Sequence, residues 1–130
     1  MKPVSEERLR GLAEEFIAVM RSELGVELRY DEASVEWVDG YVGRVRAGVS
    51  ADSVGSISSL IGSFLGECVI NNYGGSWRET GDGVGVCFDE SNCVFPFAKV
   101  HKQFLHGEGD SILSFYRTIG IVFKDLINAQ

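Results

Sequence analysis

Apolar and polar positions follow two different periods along this chain, and the switch between them divides it. Over Ala51–Tyr73, Ile57, Leu60, Ile61, Phe64, Leu65, Cys68 and Val69 recur every three or four residues. At 100° per residue they share one stripe, which predicts a core-facing helix closed by Gly74-Gly75. Gly55, Ser59, Gly62 and Gly66 lie roughly opposite, a row of small residues that lets another element pack closely. A helix with these two sides is expected to be covered on both. Glu67 and Asn71 sit one turn apart at the margin of the stripe. This segment is the expected centre of the fold.

Helical spacing also governs the chain before it. Leu9, Leu12, Phe16, Ile17, Met20 and Leu24 predict a first helix, opened by Ser5 and stopped by Gly25, with Glu14, Glu15 and Arg21 outside. Residues 26–30 alternate briefly, which predicts a short extended segment. Asp31 is then the expected N-cap of a second helix, because its carboxylate can accept from free first-turn amides. Val35, Val38, Val42 and Val45 form that helix's apolar side, flanked by Trp37 and Tyr41. Its valines, Gly40 and Gly43 weaken helix propensity, and 41–45 alternates like a strand. The helical spacing runs longer and favours helix, ended by Gly48 and Ser50.

After Gly75 the period becomes two. Trp77 and Glu79 alternate with polar neighbours, Gly81-Asp82-Gly83 supplies a turn, and Val84, Val86 and Phe88 alternate next. A second turn at 89–92 leads to a short strand at 93–95 that Pro96 ends. The central helix is the expected cover for this meander. Helical spacing returns with Phe97, Val100, Phe104 and Leu105, stopped by Gly107. Asp110 is the expected cap of a last helix presenting Ile112, Phe115, Tyr116, Ile119, Val122, Phe123, Leu126 and Ile127. Gly120 within it costs about 1 kcal/mol relative to Ala, which predicts close packing there, against the glycine row of the central helix. The fold class is α+β: four to five helices packed on a three-stranded antiparallel meander, with the central helix at 51–73. At 130 residues the chain is one expected domain, able to bury roughly 65–70% of its unfolded surface.

Composition narrows the function classes. Apolar residues are 45% and charged residues 24%, values of an ordinary soluble globular protein. No run of about 18 apolar residues predicts a membrane span, and the first residues lack a signal-peptide core. The expectation is a cytoplasmic protein without a membrane partner. Twelve basic against nineteen acidic residues give a net charge of −7, which repels phosphate backbones. No nucleic-acid partner is expected, and the small groupings Arg44/Arg46 and Lys99/Lys102 form no recognisable module. An acidic surface instead complements a basic protein partner.

Candidate chemistry is sparse. Cys68, Cys87 and Cys93 are odd in number and lack a CxxC pair, which argues against a disulfide framework and against zinc, although Cys87 and Cys93 could face each other across a hairpin. His101 and His106 are five apart, not the four of a helical metal pair, so no metal and no cofactor are expected. Glycine-rich 81–85 is followed by strand-like alternation rather than a helix, so it reads as a hairpin and not a phosphate loop. The serines from Ser53 to Ser59 at the start of the central helix read as ordinary capping. Glu67, set between the core stripe and the hairpin, is the most interesting polar residue. A carboxylate there has the chemistry of a general acid or base, with His101 or Asn71 as helpers, and equally that of a structural acceptor for backbone amides or Arg78. Trp37, Tyr41, Tyr73 and Trp77 are candidates for an aromatic contact patch.

Three segments, EASVEWVDGYV, SFLGECVINNYGGSW and VFPFAKVHKQFLHGEGDSILSFY, resemble a group of small bacterial proteins of unknown function. In that group a Ser-x-x-Trp/Leu-x-Asp helix precedes an LGE…GG.W segment and a PF.KV.K…NG..DSI..F segment. The resemblance spans roughly 31–123 and departs at His106-Gly107, where the group has Asn-Gly. Some such proteins resemble members of toxin–immunity or secretion neighbourhoods, which implies a protein-binding role. The expected function is therefore a non-enzymatic interaction or immunity-type domain, with a small hydrolase or ligand-binding domain built on Glu67 as the alternative.

Overall fold

The central helix forms where its spacing predicts. In the computed structural model, which describes residues 2–128, helix α3 runs over Ala51–Tyr73. Every residue from 61 to 69 is buried, a run too long for one stripe, so the second half of α3 is enclosed on all sides. Its first half buries only Val54 and Ser58. Helix α1 (Glu6–Leu24) packs along one side, placing Leu9, Ala13, Phe16 and Met20 in the core. α3 is long and apolar enough to cross a membrane by length and composition, yet 61% of its most apolar window is buried inside this fold.

The small-residue row is covered, but by other partners than expected. A Cβ on Gly62 would fall 2.5 Å from the Phe97 ring, and one on Gly66 would overlap the indole of Trp77. Gly120 instead faces Tyr73 at the end of α3, where a Cβ would lie 3.1 Å from its hydroxyl. Gly55, at the exposed start of the row, has nothing over it.

The predicted meander is present as β2 (Ser76–Thr80), β3 (Gly83–Cys87) and β4 (Cys93–Val94), all antiparallel. A two-residue strand β1 (Lys2–Pro3) adds to the outer edge of β2, opposite Glu79 and Arg78. Two residues are too few to show a period, so the sequence reading misses it. Gly85 lets β4 and the following Phe95 lie close over β3, since a Cβ there would be 2.6 Å from the Val94 carbonyl. Cys87 and Cys93 are directly opposed in the β3–β4 register and form a disulfide. This corrects the expectation drawn from an odd cysteine count: facing positions on paired strands decided the pairing, and the buried Cys68 is the thiol left over.

Residues 26–30 are irregular rather than extended in a ladder. Leu28 is buried and the Arg29 amide donates to Ser34 Oγ at 2.8 Å, so side-chain bonds hold a segment that has no partner strand. Helix α2 (Glu32–Val45) is helical throughout, with the Ser34 amide donating to Asp31 Oδ1 at 2.8 Å. Burial of Val35, Val38 and Val42 outweighs their low propensity. A short 3₁₀ turn, Arg46–Gly48, follows. Helix α4 (Pro96–His106) ends at Gly107 in a positive-φ conformation, but Leu105 points outward and is 54% exposed.

The last helix is capped and divided differently from the expectation. Ser111, not Asp110, caps α5 (Ile112–Val122) by accepting from the Ser114 amide, while Asp110 pairs with Lys99 at 3.4 Å. The helix breaks at Phe123, and α6 (Lys124–Asn128) follows. Phe123 turns onto the Phe88 ring, centroids 5.4 Å apart, leaving Val122 off the core and 64% exposed.

Candidate functional site

Glu67 sits on the enclosed half of α3, where the Trp77 indole of β2 lies across Gly66. The indole Nε1–H donates to Glu67 Oε2 at 2.8 Å, and both side chains are buried. Arg10, reaching in from the rim of α1, brings its Nε to 3.8 Å from Oε1. The expected partner Arg78 is not involved; it donates weakly to the Trp77 carbonyl at 3.5 Å. This arrangement satisfies a buried carboxylate and a buried indole together, since each would otherwise be desolvated without a bond.

The expected helpers do not join it. Asn71 donates its side-chain amide to the Glu67 backbone carbonyl at 2.7 Å, and Asn72 donates to the Tyr30 and Cys68 carbonyls at 2.7 and 2.9 Å. His101 is exposed on α4. Among the described residues no hydrogen bond or ion pair links His101 to Glu67 or Asn71. Residues a helical turn apart in sequence share a face, but α4 meets α3 through Phe97, Val100 and Phe104, which turns His101 away.

The groups around this interior hold their protons tightly. The Tyr30 hydroxyl is buried without a hydrogen-bond partner among the described residues, and burial, reinforced by the carboxylates of Glu67 and Glu14, pushes it up to about 12. Burial also raises the Cys68 thiol. Tyr73 and Tyr116, their tilted rings 5.1 Å apart and their hydroxyls joined by a hydrogen bond, are raised by burial as well. A thiol kept protonated is a poor nucleophile.

The four candidate aromatics separate into two groups. Trp77 is wholly buried and Tyr73 is half-buried against Tyr116, so neither contributes to a surface patch with Trp37. Trp37 and Tyr41 are four apart on α2, half-buried and stacked at 5.3 Å with planes 13° apart. The Arg44 guanidinium lies 5.5 Å from the Trp37 centroid. Glu32 and Glu36 project from the same helix, and Arg117 of α5 approaches them at 3.3 and 3.6 Å. Arg46, near Arg44 in sequence, is turned away: it donates to the Gln103, Phe104 and Leu105 carbonyls and caps the C-terminal end of α4.

One feature escapes sequence reasoning. An open cleft of about 490 Å³ separates α1 from the tip of the β2–β3 hairpin and the start of α4. Leu9 and Leu12 form one wall, Val84 with Phe95 and Phe97 the other, and Arg8 and Asp82 stand among them. Its only signal in the sequence is the Gly81-Asp82-Gly83 turn, which the alternation explains fully as a hairpin. Among the described residues no group of three His, Cys, Asp or Glu side chains is placed to hold a metal ion. No family model matches the chain, and no curated protein or solved structure is found similar to it.

Proposed function

We propose that this chain is a non-enzymatic protein-binding domain of the interaction or immunity type, engaging a basic partner through the outer face of α2. The observation that carries the reading is the Trp37–Tyr41 stack, half-buried on the outer side of one helix and flanked by Glu32 and Glu36. Rigid aromatic side chains supply binding area at little entropic cost and dominate contact energies, while an acidic protein as a whole steers a basic partner inward. The net charge of −7 extends that steering over the whole surface. The resemblance of 31–123 to a group of small bacterial proteins of unknown function, some of which resemble members of toxin–immunity or secretion neighbourhoods, agrees with it. The Cys87–Cys93 bond favours an oxidising compartment for the working form over the cytoplasm expected from composition.

The test is site-specific photocrosslinking in the source cells. A photoreactive residue at Ala33 or Gly40, both exposed on α2, should trap one basic protein, and Trp37→Ala with Tyr41→Ala should abolish the adduct without lowering the melting temperature greatly. The adduct should also weaken as salt rises. A crosslink that survives both substitutions, or turnover of a metabolite that Glu67→Gln removes while the fold persists, would overturn the reading.

A further inference from the structure

The cleft between α1, the hairpin tip and α4 is independent of the α2 face and calls for its own account. Its walls are apolar, yet each carries a charge that has no partner among the described residues. Thr80 locks the hairpin tip, accepting from the Asp82 amide at 3.0 Å and donating to the Gly83 carbonyl at 2.9 Å. The Asp82 carboxylate itself makes no hydrogen bond or ion pair among the described residues. Opposite, the Arg8 amide donates to the Ser5 hydroxyl at 3.2 Å, while its guanidinium is likewise unpaired among the described residues. Arg8 and Asp82 line one cleft without reaching each other.

An apolar body that carries both an anion and a cation matches a cleft with Arg8 on one wall and Asp82 on the other. From it we infer that the cleft binds a short apolar peptide with free ends, its carboxylate on Arg8 and its ammonium on Asp82. A volume of about 490 Å³ lies in the range that encloses a drug-sized ligand, which suits two or three residues rather than a single amino acid. Arg8 supplies a fork suited to a carboxylate, and Leu9, Leu12, Val84 and Phe95 take the side chains. The glycines flanking Asp82 have no atoms within 4 Å of where a Cβ would stand, so the tip leaves room for a ligand backbone. This inference does not depend on the protein-binding reading of α2.

Calorimetric titration of the folded protein with the tripeptide Leu-Ala-Leu tests it. Saturable binding is expected, weakened tenfold or more by amidating the peptide or by Arg8→Gln, and similarly by acetylating it or by Asp82→Asn. Combining Arg8→Gln with the amidated peptide should cost no more than either alone, because both remove one contact. Ala98→Trp, at an exposed lining position, should block binding while the melting curve stays unchanged. Free leucine binding as tightly as the tripeptide would overturn the peptide assignment. No saturable heat at millimolar peptide, or binding indifferent to both blocked ends and both substitutions, would overturn the site.

Discussion

The two tryptophans of this protein look alike in sequence, each within three residues of a carboxylate and a glycine, and the fold uses them in opposite ways. Trp77 is wholly buried, bonded to Glu67 and laid over Gly66. Trp37 is half-buried and stacked on Tyr41, with an arginine as its other neighbour. The difference lies in what faces each ring. Trp77 meets a glycine on the enclosed half of α3, so its whole surface leaves water and its N–H needs a buried acceptor. Trp37 meets no such opening. One ring organises the core, and the other remains available for contact.

The sharpest way to break this comparison is to fill the opening. Gly66→Ala would drive a methyl into the Trp77 ring, and calorimetry should show a loss of about 3 kcal/mol or more, because neither element can retreat. Gly55→Ala, in the same row but with open space above it, should instead stabilise by up to about 1 kcal/mol through helix propensity. Equal effects at the two positions would remove the claim that only half of α3 is enclosed.

Truncating the acceptor comes next. Glu67→Ala leaves the buried Trp77 N–H without its bond and should cost about 1–3 kcal/mol in denaturant melts. Glu67→Gln keeps an acceptor oxygen and should recover most of that, which a catalytic carboxylate would not allow for activity. The disulfide supports the same side of the molecule. Replacing Cys87 and Cys93 together by Ser, or reducing the bond, should lower stability by about 2 kcal/mol, the entropy of a short closed loop.

Alkaline pH probes the interior more gently. Tyr30, Tyr73, Tyr116 and Cys68 all hold their protons above the ordinary values in the folded state. Their contribution is complete below the unfolded pKa values. For Tyr30 it is lost between its ordinary value of 10.0 and about 12, because the unfolded chain releases that proton first. Stability followed by fluorescence should therefore fall across that window, and Tyr30→Phe should flatten part of the fall. The smallest effect belongs to the outer ring: Trp37→Ala should cost about 1 kcal/mol or less of stability, with its loss appearing in partner binding instead. A large drop in melting temperature would make Trp37 a core residue and end the contrast.

Much of the architecture was legible because it rests on local periodicity. The stripes of α1 and α3, the caps Ser5 and Asp31, the glycine stops at 25 and 107, and the hairpin turns are short-range signals that burial then reinforced. The misreadings share a cause. Residues 26–30 alternate but have no strand to pair with, β1 is too short to show a period, and the last helix breaks where Phe123 finds Phe88. The candidate site was legible as residue types only. Glu67 is where the sequence singled it out, but its partners are Trp77 and Arg10, ten residues after it and fifty-seven before it.

By itself, then, the sequence determined which segments are helical, where a meander begins and which helix must lie at the centre, since a 3.6-residue or two-residue period and a cap are properties of neighbouring positions. Tertiary structure decided what covers each face. It set Phe97 and Trp77 on the glycine row, joined Cys87 to Cys93, turned His101 away from Glu67, and opened the cleft between Arg8 and Asp82. Those outcomes depend on distances between elements far apart in the chain, and no local pattern encodes such distances.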